Sequence, residues 1–147
     1  MSSRAVVVTP VPIPDALAAA CVLAGVGAEV VPSEIGSIAV CLDPDGEVPY
    51  KAGVTISQLL KGALIVVLQN EDGQIAAKGF TNGAETEVQA AGLWLDAAPM
   101  VLEDLITGTA DAADIEGMVS TVGMSRWRAA RSLSTLSRAI RKRAKRG

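Results

Sequence analysis

The sequence predicts an α+β fold in which helices cover a small mixed or antiparallel β-sheet. Short runs of β-branched residues alternate with helical stretches near the start of the chain, in the order β-α-β-β-α-β-β. Half of the residues are apolar and 3% are aromatic, so a core can form from valine, leucine, isoleucine and alanine. The 147 residues are enough for one domain and few for two.

Residues 4–42 are predicted to form a strand, a helix and two further strands. The helix is the alanine-rich stretch between Pro14 and Ala24, because proline suits a first helical turn and Gly25 suits a helix end. The β-branched runs predict strands at residues 4–9, 28–31 and 37–42.

Residues 43–81 are predicted to contain a turn, a short helix and a β-hairpin. The sequence DPDGEVP at 43–49 consists of turn residues, and VTISQLLKG at 54–62 predicts a short helix that ends at Gly62. The turn sequence NEDG joins the two strands of the hairpin, predicted at residues 63–69 and 74–81.

The rest of the chain is predicted to be helical. The sequence NGAETE at 82–87 breaks the strand pattern. A helix is expected between its cap at Asp96 and its end at Gly108, and a short helix at 111–120. Ser125 is then placed to open a long basic amphipathic helix.

Two strand arrangements fit this order of elements. The whole order of elements suggests a sheet with all of its helices on one face, and a ferredoxin-like arrangement of the first 69 residues fits that order. A flavodoxin-like or Rossmann-like start is the rival, because the strands on either side of the first helix also fit a parallel β-α-β unit.

Charge is distributed unevenly along the chain. With four cations and all sixteen acids, residues 1–125 carry a charge of −12, and with nine cations residues 126–147 carry +9. Such asymmetry indicates an interaction segment attached to an oppositely charged body. We expect an acidic α/β body at residues 1–120 and a basic C-terminal helix at 121–147.

The residue types present offer little catalytic chemistry. Histidine is absent, which removes the usual general base near neutral pH and the commonest metal ligand. The sequence GVGAEV at 25–30 follows the first helix, whereas a phosphate-binding glycine loop must precede one. A calcium loop that begins at Asp43 would need a glutamate where Val54 stands. We therefore expect a protein that is not an enzyme and has no catalytic residues, cofactor or metal site.

The two cysteines, Cys21 and Cys41, lie in apolar runs without metal-ligand spacing. Neither run supplies a cation or a helix N-terminus, so we expect buried structural thiols in a reducing, cytoplasmic compartment. LAAAC at 17–21 resembles a lipoprotein cleavage box, but prolines and an aspartate interrupt the apolar segment that such a signal needs. No run reaches the roughly 18 apolar residues of a membrane-spanning helix.

The basic C-terminal segment, residues 126–147, has the periodicity of an amphipathic helix. Its apolar positions recur at spacings of three and four, at Ala129, Leu133, Leu136, Ile140 and Ala144. Cations gather over the opposite half of the helix, at Arg128, Arg131, Arg138, Arg141, Lys142, Lys145 and Arg146. With Trp127, these cations are the predicted partner-binding or nucleic-acid-binding residues. We expect Trp127 to pack on the body, because a buried tryptophan is a common anchor where a helix begins.

Several functions of the segment are open. Charge complementarity most favours docking on an acidic protein surface or on a second copy of the chain, as in a homo-oligomer. Nucleic-acid binding comes second, because an acidic body repels a polyanion. An anionic membrane surface is less favoured because the stripe has three large aliphatic residues, and a solvated end that aids solubility is the fourth alternative. The α/β body by itself also suggests a small-molecule-binding regulatory domain, by fold analogy.

Overall fold

The structure is a computed structural model that describes residues 3–44, 47–88 and 99–131. Its strands, in chain order, are β1 Ser3–Val8, β2 Ala28–Val31, β3 Ile38–Cys41, β4 Ile65–Glu71, β5 Gln74–Thr81, β6 Ala84–Thr86 and β7 Val119–Ser120. Its helices are α1 Pro14–Leu23, α2 Val48–Leu59 and α3 Met100–Thr107, with a 3₁₀ turn at Ala112–Asp114 and a helical stretch at 126–131. The α+β class predicted from the sequence is confirmed.

The strands form one open antiparallel sheet of seven strands in the order β6-β5-β4-β1-β3-β2-β7. The element order β-α-β-β-α-β predicted for the start of the chain is present, and its four strands lie in the order β4-β1-β3-β2. Because β3 lies between β1 and β2 and pairs antiparallel with both, these two strands are parallel but not neighbours, and the flavodoxin-like or Rossmann-like start is wrong. The helices α1 and α2 are the crossovers that place one strand between the two strands each helix joins.

Helices cover both faces of the sheet, so the prediction of helices on one face is wrong. Val7 and Val67 pack with residues of α1 and α2, whereas Val6 and Leu68 pack with α3 on the opposite face. The physical reason is that β1 and β4 are continuously apolar. A strand of this kind leaves an exposed apolar surface unless both of its sides are covered.

The helix α2 begins at Val48, six residues before its predicted start, and the last two residues of the predicted turn belong to it. Pro49 lies in its first turn. A backbone N–H there has no partner within the helix, so the missing N–H of proline costs no hydrogen bond. Gly53 faces the sheet, and a Cβ at this position would lie 2.7 Å from both the Phe80 ring and a Val67 methyl carbon. This glycine therefore permits the close approach of α2 to β4 and β5.

Two further differences follow from turn chemistry. Asn82 and Gly83 both have positive φ, 52° and 86°, so NG is the tight turn of a β5–β6 hairpin and not the end of the sheet. The predicted helix at 111–120 is wrong: the 3₁₀ turn occupies three of its residues, and β7 pairs with β2. Gly108 ends α3 as predicted, with φ 85°, and the predicted cap Asp96 lies outside the described residues.

Candidate interaction surface

The basic C-terminal segment starts from the edge of the sheet. After β7, the backbone N–H of Thr121 donates to the carbonyl oxygen of Ala28 across 3.1 Å. The Thr121 hydroxyl oxygen accepts a hydrogen bond of 2.9 Å from the backbone N–H of Ala28. These two bonds hold the chain to the first residue of β2 just before it leaves the sheet.

Ser125 caps the N-terminus of the helical stretch at 126–131, so this stretch starts where the sequence predicts. The Ser125 Oγ accepts a hydrogen bond from the backbone N–H of Arg128 at 3.1 Å, which satisfies one of the unpaired donors of the first turn. The Arg126 Nη2 donates to the carbonyl oxygen of Leu23, the last residue of α1, across 3.3 Å. The positive charge of this guanidinium also interacts favourably with the negative, C-terminal end of the α1 helix dipole. Met124 packs on the core between the sheet and α1 and α2.

Ala129 and Trp127 lie on opposite sides of this first turn. Ala129, the first position of the predicted apolar stripe, is completely buried. Trp127 is 72% exposed, so the prediction that it packs on the body is wrong. Ala129 is buried and Met124 is partly buried against the core, and the bulky indole lies outside this contact.

Trp127 forms a cation–π pair with Arg131, whose guanidinium carbon lies 5.3 Å from the ring centroid. The pair has the i, i+4 spacing of residues on one helix face. Arg128 and Arg131 are exposed. The other predicted binding residues lie outside the described residues: Arg138, Arg141, Lys142, Lys145 and Arg146.

Two exposed apolar side chains that sequence periodicity missed lie at the same end of the sheet. Leu42 follows β3, and its backbone N–H donates to the carbonyl oxygen of Gly27 at 2.9 Å. Val122 follows Thr121, which is bonded to Ala28. Both side chains are exposed. They therefore flank the start of β2 near the helical stretch at 126–131. Leu42 ends an apolar run and Val122 follows the polar Ser120 and Thr121, so no sequence pattern marks these two side chains as one surface.

A cluster of polar side chains lies where α2 crosses β5. The Lys78 Nζ lies 4.6 Å from the centroid of the Tyr50 ring and 3.8 Å from the Glu85 Oε1. Burial raises the pKa of the Tyr50 hydroxyl, and the carboxylates of Glu71 and Glu85 raise it further. The ammonium of Lys78 lies between the phenol ring and the carboxylate of Glu85 and offsets the charge of that carboxylate.

The cysteine thiols are buried, as predicted. Burial raises the pKa of Cys21 to about 12, with a further contribution from Cys41. Burial likewise raises the pKa of Cys41 to about 12, with a contribution from Asp43. Both side chains are therefore protonated thiols and poor nucleophiles at neutral pH. In the described part of the chain, no three His, Cys, Asp or Glu side chains form a group that could hold a metal ion.

The fold and this surface define an α+β protein with a seven-stranded antiparallel sheet and an exposed Trp–Arg turn at the start of a basic segment. Searches against protein-family models, curated proteins and solved structures found no match. Among the described residues, no helix has the length and apolar character needed to cross a membrane.

Proposed function

We propose that this chain is a non-enzymatic interaction protein that docks through its basic C-terminal segment on an acidic protein surface, the body of a second copy. The observation that supports this most directly is the orientation of the first turn. Ala129 is buried while Trp127, Arg128 and Arg131 face solvent. The turn is thus anchored to the body and presents an aromatic ring with cations to a partner.

The opposite charges of the segment and the body favour a second copy of this chain as the partner. The cations of the segment, +9, and the charge of residues 1–125, −12, are of comparable size and opposite sign. Complementary charges of this kind raise association rates and disfavour like-charged partners. In a homo-oligomer, the cationic segment of one copy lies against the acidic body of another, so one sequence supplies both charges.

The decisive experiment measures the mass of the protein in solution by light scattering, with and without the end of the segment. Truncation after Arg131 keeps the Arg126, Ala129 and Arg131 contacts and removes the last six cations. We expect the full chain to associate at low salt, and we expect the truncated chain and the full chain at high salt to be monomeric. Equal masses for the full and truncated chains would reject the proposal.

A matched control separates the segment from positive charge in general. Lys51 is an exposed cation of the body, on α2. Replacing it with glutamine should leave the mass unchanged. Replacing Lys142 with glutamine removes the same charge from the segment, and should weaken association.

Nucleic-acid binding is the second candidate, and the exposed Trp127 favours it. An aromatic ring beside arginines can stack on an unpaired base while the cations contact phosphates. The test is fluorescence anisotropy of a labelled single-stranded oligonucleotide at several salt concentrations. Affinity that falls steeply with salt and is weakened by Trp127→Ala would support this candidate over the protein partner. Membrane-surface binding and a small-molecule role remain predictions from the sequence.

A further inference from the structure

We infer that the acceptor for the basic segment of one copy is an apolar rim at one end of the sheet of a second copy. This inference rests on the proposed function and names the surface involved. The rim consists of five exposed residues from the ends of three strands and the loops beside them: Pro10, Pro12, Ile13, Ile35 and Leu64. The exposed fractions of Ile13, Ile35 and Leu64 are 46%, 37% and 42%.

The rim is continuous across three adjacent strands. Val8 lies opposite Val66 of β4 and Ile38 of β3, so the residues after β1 leave the sheet at the end where β4 and β3 begin. Gly36 packs directly on the residues that follow β1, since a Cβ at this residue would overlap the backbone of Thr9 and Pro10. Ile35 therefore projects from a loop that is in contact with the middle of the rim.

Hydrogen bonds hold the rim in one shape. The backbone N–H and the hydroxyl of Ser37 both donate to the carbonyl oxygen of Val11, each across 2.7 Å. The Ser33 hydroxyl donates to the carbonyl oxygen of Gly36 at 2.6 Å. A preformed surface loses little conformational entropy when a partner binds.

Acidic residues lie beside this apolar surface. Asp15 is exposed in the first turn of α1, two residues after Ile13, and Glu34 is exposed next to Ile35. Glu116 is also at this end, because the adjacent Gly117 packs on Pro32 at the end of β2. Lys61, an exposed cation, lies three residues before Leu64. An apolar patch with acids on its β3 side matches a segment whose apolar stripe is bordered by cations.

The opposite end of the sheet is a poorer acceptor. The strands β1 and β2 both run antiparallel to β3, so the end of β1 and the start of β2 lie at opposite ends. The segment leaves the body near the start of β2, and Leu42 and Val122 there lie at the end that carries Arg126, Arg128 and Arg131. These cations repel the basic segment of another copy.

The apolar stripe and the rim have similar lengths. From Leu133 to Ile140 is seven residues, which cover about 10 Å on a helix. From Leu64 across β1 to the β3 side is two strand spacings, also about 10 Å. End-to-end packing of two copies thus brings Leu133, Leu136 and Ile140 of one copy against the rim of the other.

The test compares two lysine substitutions in the full chain. Ile35→Lys places a cation in the rim, whereas Gln74→Lys places one at the exposed start of β5, at the opposite end of the sheet. We expect Ile35→Lys to weaken self-association about tenfold in a dilution series followed by light scattering. Gln74→Lys should have no effect. Circular dichroism checks that both variants fold, and Leu64→Ser is a second rim variant in case Ile35→Lys does not.

A photo-reactive side chain in place of Leu136 locates the acceptor directly. In a mixture of isotope-labelled and unlabelled full chains, we expect cross-links between copies at residues 10–13, 33–37 and 62–64. Cross-links elsewhere, or only within one copy, would overturn the inference. If truncation after Arg131 lowers the mass but Ile35→Lys and Leu64→Ser behave like Gln74→Lys, the acceptor lies elsewhere. If truncation itself has no effect, the proposed function fails.

Discussion

The side chain of Asn70 on β4 donates from its Nδ2 to the carbonyl oxygen of Ile106 in the last turn of α3, across 2.9 Å. The carbonyls of a last helical turn have no partner within the helix, so this bond satisfies one of them. The Oδ1 of the same side chain accepts from the backbone N–H of Gly73 at 2.9 Å, in the β4–β5 turn. One buried amide thus holds α3 to the second face of the sheet and fixes the adjacent turn.

Replacing Asn70 with alanine should lower the free energy of unfolding by about 1–3 kcal/mol, because the buried carbonyl of Ile106 is left without a donor. Urea denaturation followed by circular dichroism measures the change. Gln74→Ala, at an exposed position on β5, is the control and should change stability by less than about 0.5 kcal/mol. Equal effects of the two substitutions would mean that the Asn70 hydrogen bonds do not stabilise the fold.

Local sequence patterns predict an element best where its apolar run and its flanking turn residues indicate the same bounds. The bounds of β2 and β5 match the predicted residues because both runs are flanked by turn residues. The start of α2 was missed because Val48 and Pro49 suit both a turn and a first helical turn. β6 was missed because its three exposed residues carry no apolar pattern.

The features that depend on tertiary contacts lie beyond local reasoning. The apolar runs of β1 and β4 indicate burial, but which element covers their second face depends on contacts with α3, which is distant in sequence. The same limit applies to the candidate surface. Helical periodicity separates Trp127 from Ala129 but does not say which side meets the body, and the hydrogen bond from Arg126 to Leu23 involves residues far apart in sequence. The rim at Ile35 and Leu64 requires the register of β1 with its neighbours.

The two buried thiols should make stability fall in alkaline solution. Well below pH 9 they are protonated in both states and contribute no pH dependence. Between the ordinary thiol pKa of 9.0 and the folded value of about 12, the unfolded chain loses these protons and the folded chain keeps them. The free energy of unfolding then decreases, by up to about 1.4 kcal/mol per pH unit for each thiol.

Urea unfolding at a series of pH values between 8 and 11 measures this effect, with the variant carrying Cys21→Ala and Cys41→Ala as the comparison. The variant is less stable at every pH below 9, because a smaller side chain leaves part of each buried site empty. Its stability should nevertheless fall less steeply above pH 9. Parallel profiles for the two proteins would contradict the assigned thiol pKa values.

Tyr50 provides a direct optical titration, because it is the only tyrosine in the chain. Its absorbance near 295 nm should titrate above the ordinary tyrosine pKa of 10.0. Glu85→Gln should lower this pKa, since the glutamate carboxylate opposes ionisation of the phenol. The pKa should stay above 10.0 because burial is the larger cause. Glu103→Gln, on α3 at the opposite face, is the control, and an equal shift in both variants would contradict the arrangement around Lys78.

Trp127→Ala should leave stability almost unchanged and Ala129→Asp should lower it, although the two sites are two residues apart. Removing an exposed indole should change the free energy of unfolding by less than about 0.5 kcal/mol, whereas removing a tryptophan packed on the body costs about 3–5 kcal/mol. An aspartate at the buried position 129 should lower stability by about 3–5 kcal/mol, because its carboxylate is desolvated without a partner. Urea denaturation measures both effects, and light scattering on the same samples should show weaker association for Trp127→Ala. A large loss of stability from Trp127→Ala would mean that this ring packs on the body and is not free to meet a partner.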